Sequence, residues 1–226
     1  MPRTAPLAND LWMAAHDTNR GDCYLQPRQL GIGLGSALLA ELALGNWIWI
    51  QDELLYLNPD GDNYTLDDPA IGPLLKELRA ETQKDSARRL TNEPVGLQLK
   101  IWIQQLQAGI AQEWVQDRLL GERTIQEEVR GLIRKRSVWV PIDNNVAGWP
   151  ANRLKDSLHK GKPLNEQDLA LAALVMAIGL SKAILTDLEP QHQRYLAQQL
   201  DATMRPALHK LVVVVEREVG RQTMLR

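Results

Sequence analysis

The chain has a single cysteine and no phenylalanine. The lone Cys23 rules out an intrachain disulfide, and such sparing use suits a reducing compartment. Phe is replaced by seven Trp, and the sequence alone offers no physical reason for that exchange. Net charge is nearly absent as well. A formal charge of −2 on 226 residues provides no global field to draw the protein to nucleic acid, so none is expected as a partner. No apolar run approaches the roughly 20 residues of a membrane-spanning helix. The opening MPRTAPLAND lacks the apolar region of a secretory signal. Pro2 stands where myristoylation requires glycine, and the last residues carry no prenylation box. The expectation is a cytoplasmic protein whose membrane role is peripheral.

Catalytic and metal signatures are missing too. There is no G-x-S-x-G or Walker sequence. The four histidines, His16, His159, His192 and His209, share no ligand spacing. Gly31, Gly33 and Gly35 alternate, but a dinucleotide site needs a preceding strand and a different last spacing, so close helix packing is their expected use. Asp60, Asp62, Asn63, Asp67 and Asp68 lack the central glycine and terminal glutamate of a calcium loop. No catalytic residue, metal or cofactor is therefore expected.

What is present centres on Leu30–Ile50, LGIGLGSALLAELALGNWIWI. Leu34, Leu38 and Leu42 share one helical face, and Leu39 and Ala43 share another. A helix apolar on most sides belongs in a core. Gly45-Asn46 is expected to stop it through a left-handed glycine. Trp47–Ile50, a turn at Gln51-Asp52-Glu53 and Leu54–Leu57 then read as a β-hairpin. Glu41 is the odd residue in the apolar helix, and a carboxylate at the core edge, paired or reaching water, is its expected state.

Elsewhere the periodicity predicts helices over Leu7–Ala15, Pro69–Thr82, Asp85–Leu90, Val95–Leu120 with a bend at Gly109, Leu169–Leu180, Pro190–Ala202 and Pro206–Val219. Pro27 is expected to help start the organising helix, and Asn165 to cap the later one. Gly21–Leu25 reads as a short strand, and Asn144–Gly161 as a loop and helix. Thr124–Asp143 reads as an amphipathic hairpin whose tip, Arg134-Lys135-Arg136-Ser137, is basic. The predicted fold is mainly α: one helical domain over 1–226, built around two buried apolar helices, with short β-hairpins.

The run Leu38-Leu39-Ala40-Glu41-Leu42-Ala43-Leu44 with Gly45 and a short strand, the later helix Leu169–Leu180 preceded by Asp168, and the order of elements between them resemble the Golgi phosphoprotein 3 family, in a bacterial-type form. The resemblance implies a single helical domain without catalysis. It also implies peripheral membrane binding through phosphatidylinositol 4-phosphate, and adaptors that hold enzymes by their cytoplasmic tails. The family's phosphate-binding Trp and three Arg fall here on Gln26, Gly35, Gly109 and Gln112, so its guanidinium cradle is not carried over. Tyr24 and Arg28 lie close by in sequence as candidates for a different pocket. The family's projecting hairpin, linked to membrane contact and self-association, corresponds to Gly131–Ile142.

The candidate lipid-binding residues are Arg130, Arg134, Lys135, Arg136 and Trp139. Cations there suit anionic phospholipid or phosphoinositide, and indole suits the headgroup layer. The expected function is that of a nonenzymatic, peripherally membrane-associated binding protein. It would recognise an anionic membrane surface and a protein tail, with the hairpin available for homo-oligomers. The rival expectation is a soluble protein-interaction module of the same fold that has lost specific phosphoinositide binding.

Overall fold

The computed structural model describes residues 5–18, 20–58, 67–88, 93–130 and 135–224, without the side chains of Arg136 and of residues 222–224. The helices are α1 (Leu7–Ala15), α2 (Pro27–Leu44), α3 (Ile71–Arg88), α4 (Leu99–Leu106), α5 (Ile110–Gly121), α6 (Asn144–His159), α7 (Glu166–Ala177), α8 (Ser181–Ile184), α9 (Pro190–Thr203) and α10 (Pro206–Met224). One antiparallel sheet joins β1 (Ile48–Gln51), β2 (Leu54–Leu57) and the two-residue β3 (Leu97–Gln98) in that order; a second pairs β4 (Ile125–Arg130) with β5 (Arg136–Pro141). The fold is thus a single helical body with short hairpins, as the sequence predicts.

Helix α2 is the axis. Pro27 occupies its first turn, where a missing N–H costs nothing, and Gln26 and Gln29 form a reciprocal cap. Leu34, Leu38, Leu39 and Leu42 are fully buried, and α1, α4, α5, α7 and α10 all pack around them. The alternating glycines explain how neighbours come so close. A Cβ on Gly31 would run into the Gln107 carbonyl oxygen, and one on Gly35 would stand 2.7 Å from Leu106 Cβ. Gly33 faces Ile178 in the same way, at 2.8 Å. Helix α7 is the second buried apolar helix; the Asn165 side chain accepts from the Asp168 N–H at its start.

Several local expectations are corrected. Gly45 is right-handed, and Asn46 takes the left-handed turn (φ 58°). Glycine is needed at 45 because the Trp47 indole lies over it, 2.6 Å from where a Cβ would sit. The β1–β2 turn is only Asp52-Glu53, both at positive φ. Its Glu53 carboxylate is held by Arg217 of α10 at 2.9 and 3.0 Å, and Lys210 reaches Asp52 at 3.5 Å. The two helices expected around Gln83-Lys84 are one continuous α3. No Gly or Pro stands at the expected hinge, and Lys84–Glu81 and Arg88–Asp85 pair along the surface. Conversely, Val95–Leu120 contains β3 and two helices, separated at Gly109, whose φ of 104° no helix accommodates. Gly21–Leu25 supplies only an isolated bridge from Cys23 to His16. Helix α6 takes up nearly all of the expected loop and helix, with Pro150 inside it.

Candidate functional site

The hairpin forms where predicted. Its ladder runs from Ile125↔Pro141 to Arg130↔Arg136, so these two arginines face each other at the far end. Arg134 and the rest of 131–134 lie outside the described residues. Lys135 is exposed. Arg130 is half-buried: its guanidinium meets the Glu128 carboxylate at 2.7 and 3.0 Å and donates to the Arg20 carbonyl. That contact straps the hairpin to the turn after α1. Gly21 (φ 67°) sits at the same seam, where a Cβ would press on Val140 at 2.7 Å. Trp139, expected at the headgroup layer, is instead half-buried against the hydrophobic core. The charge of Arg130 and the indole of Trp139 are thus engaged by the protein itself.

The second predicted pair is not drawn into one cradle by any contact. Tyr24 donates its hydroxyl to Asp17 at 3.3 Å, while Arg28 is exposed on the first turn of α2. Slight burial, the Asp17 charge and the hydrogen bond to it push the Tyr24 phenol above its usual range. The positions at which the family's phosphate-binding residues fall have other uses. Gln26 caps α2, Gly35 touches Leu106, Gly109 makes the left-handed break before α5, and Gln112 is half-buried on α5. At Gly35 no side chain fits without moving α4.

A feature missed from the sequence lies beside the hairpin. Among the large apolar side chains described, the five most exposed are Val129 (64%), Trp149 (57%), Ile142 (53%), Tyr24 (50%) and Val146 (49%). All sit on the hairpin, the turn strapped to it, or the first two turns of α6 and its approach. Ala147, Pro150, Leu154 and Leu158 bury the inner face of α6, so Val146 and Trp149, three residues apart, form a second apolar stripe pointing outward. The spacing Ile142, Val146, Trp149 is visible in the sequence; that it faces solvent is not.

Among the described residues the buried charges are paired. Arg118 is 2% exposed and binds Glu41 through both terminal nitrogens, at 2.9 and 3.1 Å. It also meets Asp68 at 3.2 Å, whose other oxygen caps α3 by accepting from the Ala70 and Ile71 N–H groups. The Ala8 N–H adds 2.7 Å to Glu41. Of the two states the sequence allows for Glu41, paired or reaching water, the structure therefore takes the paired one. Burial lifts its pKa above the usual carboxylate range; Arg118 and the Ala8 N–H oppose that lift. A second network places Arg153 between Asp10 and Asp168, at 2.8 and 2.6 Å. Burial raises the Asp10 pKa in the same way, against Arg153. These clusters bind α1 to α2, α5, α6 and α7 and leave no open acid. Among the described residues no group of His, Cys, Asp or Glu is arranged to hold a metal ion, and no helix is long and apolar enough to cross a membrane.

Set against known proteins, residues 7–215 match the sequence model described as Golgi phosphoprotein 3 (GPP34). No curated protein matches the chain.

Proposed function

The chain belongs to the Golgi phosphoprotein 3 family, and from that premise we propose that it is a noncatalytic binding protein that docks peripherally on anionic phospholipid membranes. The observation that carries this reading is the concentration of exposed apolar side chains, Val129, Ile142, Val146 and Trp149 above all, around the hairpin that ends in the basic tip. Each tip cation contributes about 1 kcal/mol near an anionic surface. Three of them give only roughly millimolar binding. Full insertion of two apolar side chains adds about 1.5–3 kcal/mol each, which brings affinity toward the micromolar range. Charge would then attract the protein and the apolar stripe would hold it. Weak discrimination among headgroups of equal charge is part of the proposal, because none of the family's phosphate-binding residues stands at its position.

The soluble protein-interaction reading has its own support: Arg130 is neutralised by Glu128, and the same apolar stripe suits a protein partner. Flotation with vesicles across a headgroup series separates the two. Binding to all anionic vesicles at low salt, lost at high salt or on neutral vesicles, supports membrane docking. Absence from every vesicle fraction transfers the face to a protein.

A further inference from the structure

A cleft that shares no residue with the β4–β5 hairpin or its apolar face has the make-up of a ligand site. It measures about 700 Å³ and lies between the outer face of the β1–β2 hairpin and one side of α3. Trp49 of β1 and Tyr56 of β2 are cross-strand neighbours and form one wall. Their rings stack with centroids 5.1 Å apart and planes 9° from parallel. Gly96 lies against Tyr56, with only 2.9 Å between the ring carbon Cζ and the position of a Cβ, so that side of the stack is backed by chain. Trp49 keeps 36% of its surface in water on a strand whose Ile48 and Ile50 are buried. The facing wall is a polar stripe. Arg79, Thr82, Gln83 and Ser86 follow the i, i+3, i+4, i+7 spacing of one helix face, and Glu93 closes the end. Thr82 already donates its hydroxyl hydrogen to the Leu78 carbonyl at 2.9 Å, so toward the cleft it offers an acceptor.

We propose that this cleft binds a sugar ring. A stacked aromatic pair opposite a wall of amide and hydroxyl groups matches a ligand with one C–H face and a rim of hydroxyls. The indole face of Trp49 that Tyr56 leaves uncovered attracts the weakly positive C–H groups. Gln83, Ser86 and Thr82 satisfy the hydroxyls with both donors and acceptors. A nucleotide fits the charges poorly, because Arg79, the one cation among the described lining residues, shares the cleft with Glu93. The ring can arrive as a free saccharide or as the headgroup of a glycolipid, and one aromatic face with a few hydrogen bonds sets the affinity at about millimolar.

The test uses the full chain. Saturation-transfer NMR with methyl glucoside, methyl galactoside and methyl mannoside, up to about 10 mM, is run beside flotation on neutral vesicles containing glucosyl- or galactosyl-diacylglycerol. Transfer to a free glycoside, with a shift of the Trp49 indole N–H, is the expected result; flotation on glycolipid vesicles alone assigns the headgroup as the source. Trp49→Ala is expected to abolish binding. Gln83→Ala, on an exposed helix position that leaves the stack intact, is expected to weaken it about tenfold. Silence of all three glycosides and both vesicle types overturns the proposal. So does binding that survives both substitutions.

Discussion

Glu41 and Arg118 stand 77 residues apart in sequence and meet through two nitrogen–oxygen contacts of 2.9 and 3.1 Å inside the helical core. Removing one partner of a buried pair leaves the other charged and unsolvated. Arg118→Met is therefore expected to cost about 3–5 kcal/mol and Glu41→Gln less, since Asp68 still faces the arginine. In urea unfolding, the double variant should lose less than the two single losses combined. Strict additivity would mean that the two groups do not interact.

Leu38 and Leu42 are completely buried on α2. Truncating either to Ala is expected to cost about 2–5 kcal/mol, read from the urea midpoint at unchanged slope. A loss below about 1 kcal/mol would contradict their place in the core.

Glycine positions differ sharply in what surrounds them. Gly31→Ala drives a Cβ into the Gln107 carbonyl oxygen and is expected to destabilise by at least about 1–3 kcal/mol. Gly121→Ala, at the end of α5 with open space around it, is expected to be neutral or stabilising by up to about 1 kcal/mol. Thermal melts of the two variants settle the order, and equal effects would refute the packing argument.

His16 gives the fold a sensitivity to acid. Its ring stacks on Trp12 at 3.9 Å and its Nδ1 lies 2.7 Å from the Trp12 carbonyl. Burial lowers its pKa below the ordinary 6.5, against the hydrogen bond. The unfolded chain therefore takes up the proton first. The contribution is complete above the unfolded value and is lost as pH falls through the lower folded one. Stability measured from about pH 7 to about pH 5 should fall, and His16→Gln should flatten that slope whatever its effect on absolute stability. An unchanged slope would assign the acid sensitivity to other groups.

The proposed membrane face separates into charge and apolar parts. Lys135→Glu with Arg136→Glu should abolish co-sedimentation with anionic vesicles, and Trp149→Ser with Val146→Ser should weaken it by about tenfold or more. Lys135, Val146 and Trp149 are exposed, so melting temperatures should hardly move. Vesicle binding equal to that of the unaltered protein in both variants would remove the hairpin and α6 from the contact.

Much of the architecture is decided by a few neighbouring residues, and those parts are legible in the sequence. The periods of α1, α2 and α10, the proline that opens α2, the Asn165 cap and both hairpins depend on propensity and pattern within one or two turns of chain. Even the use of the alternating glycines for close packing follows from their place in an apolar helix. The partners come only from the tertiary structure. It chose Arg118 for Glu41, turned Trp139 inward, gave the left-handed turn to Asn46 once Trp47 had covered Gly45, and ran α3 past Trp49 and Tyr56 to make a cleft. It also left Val146 and Trp149 facing water, although their spacing fits a buried face equally well. Each outcome depends on segments tens of residues apart competing for the same space and the same hydrogen bonds, and that competition has no local signature in the chain.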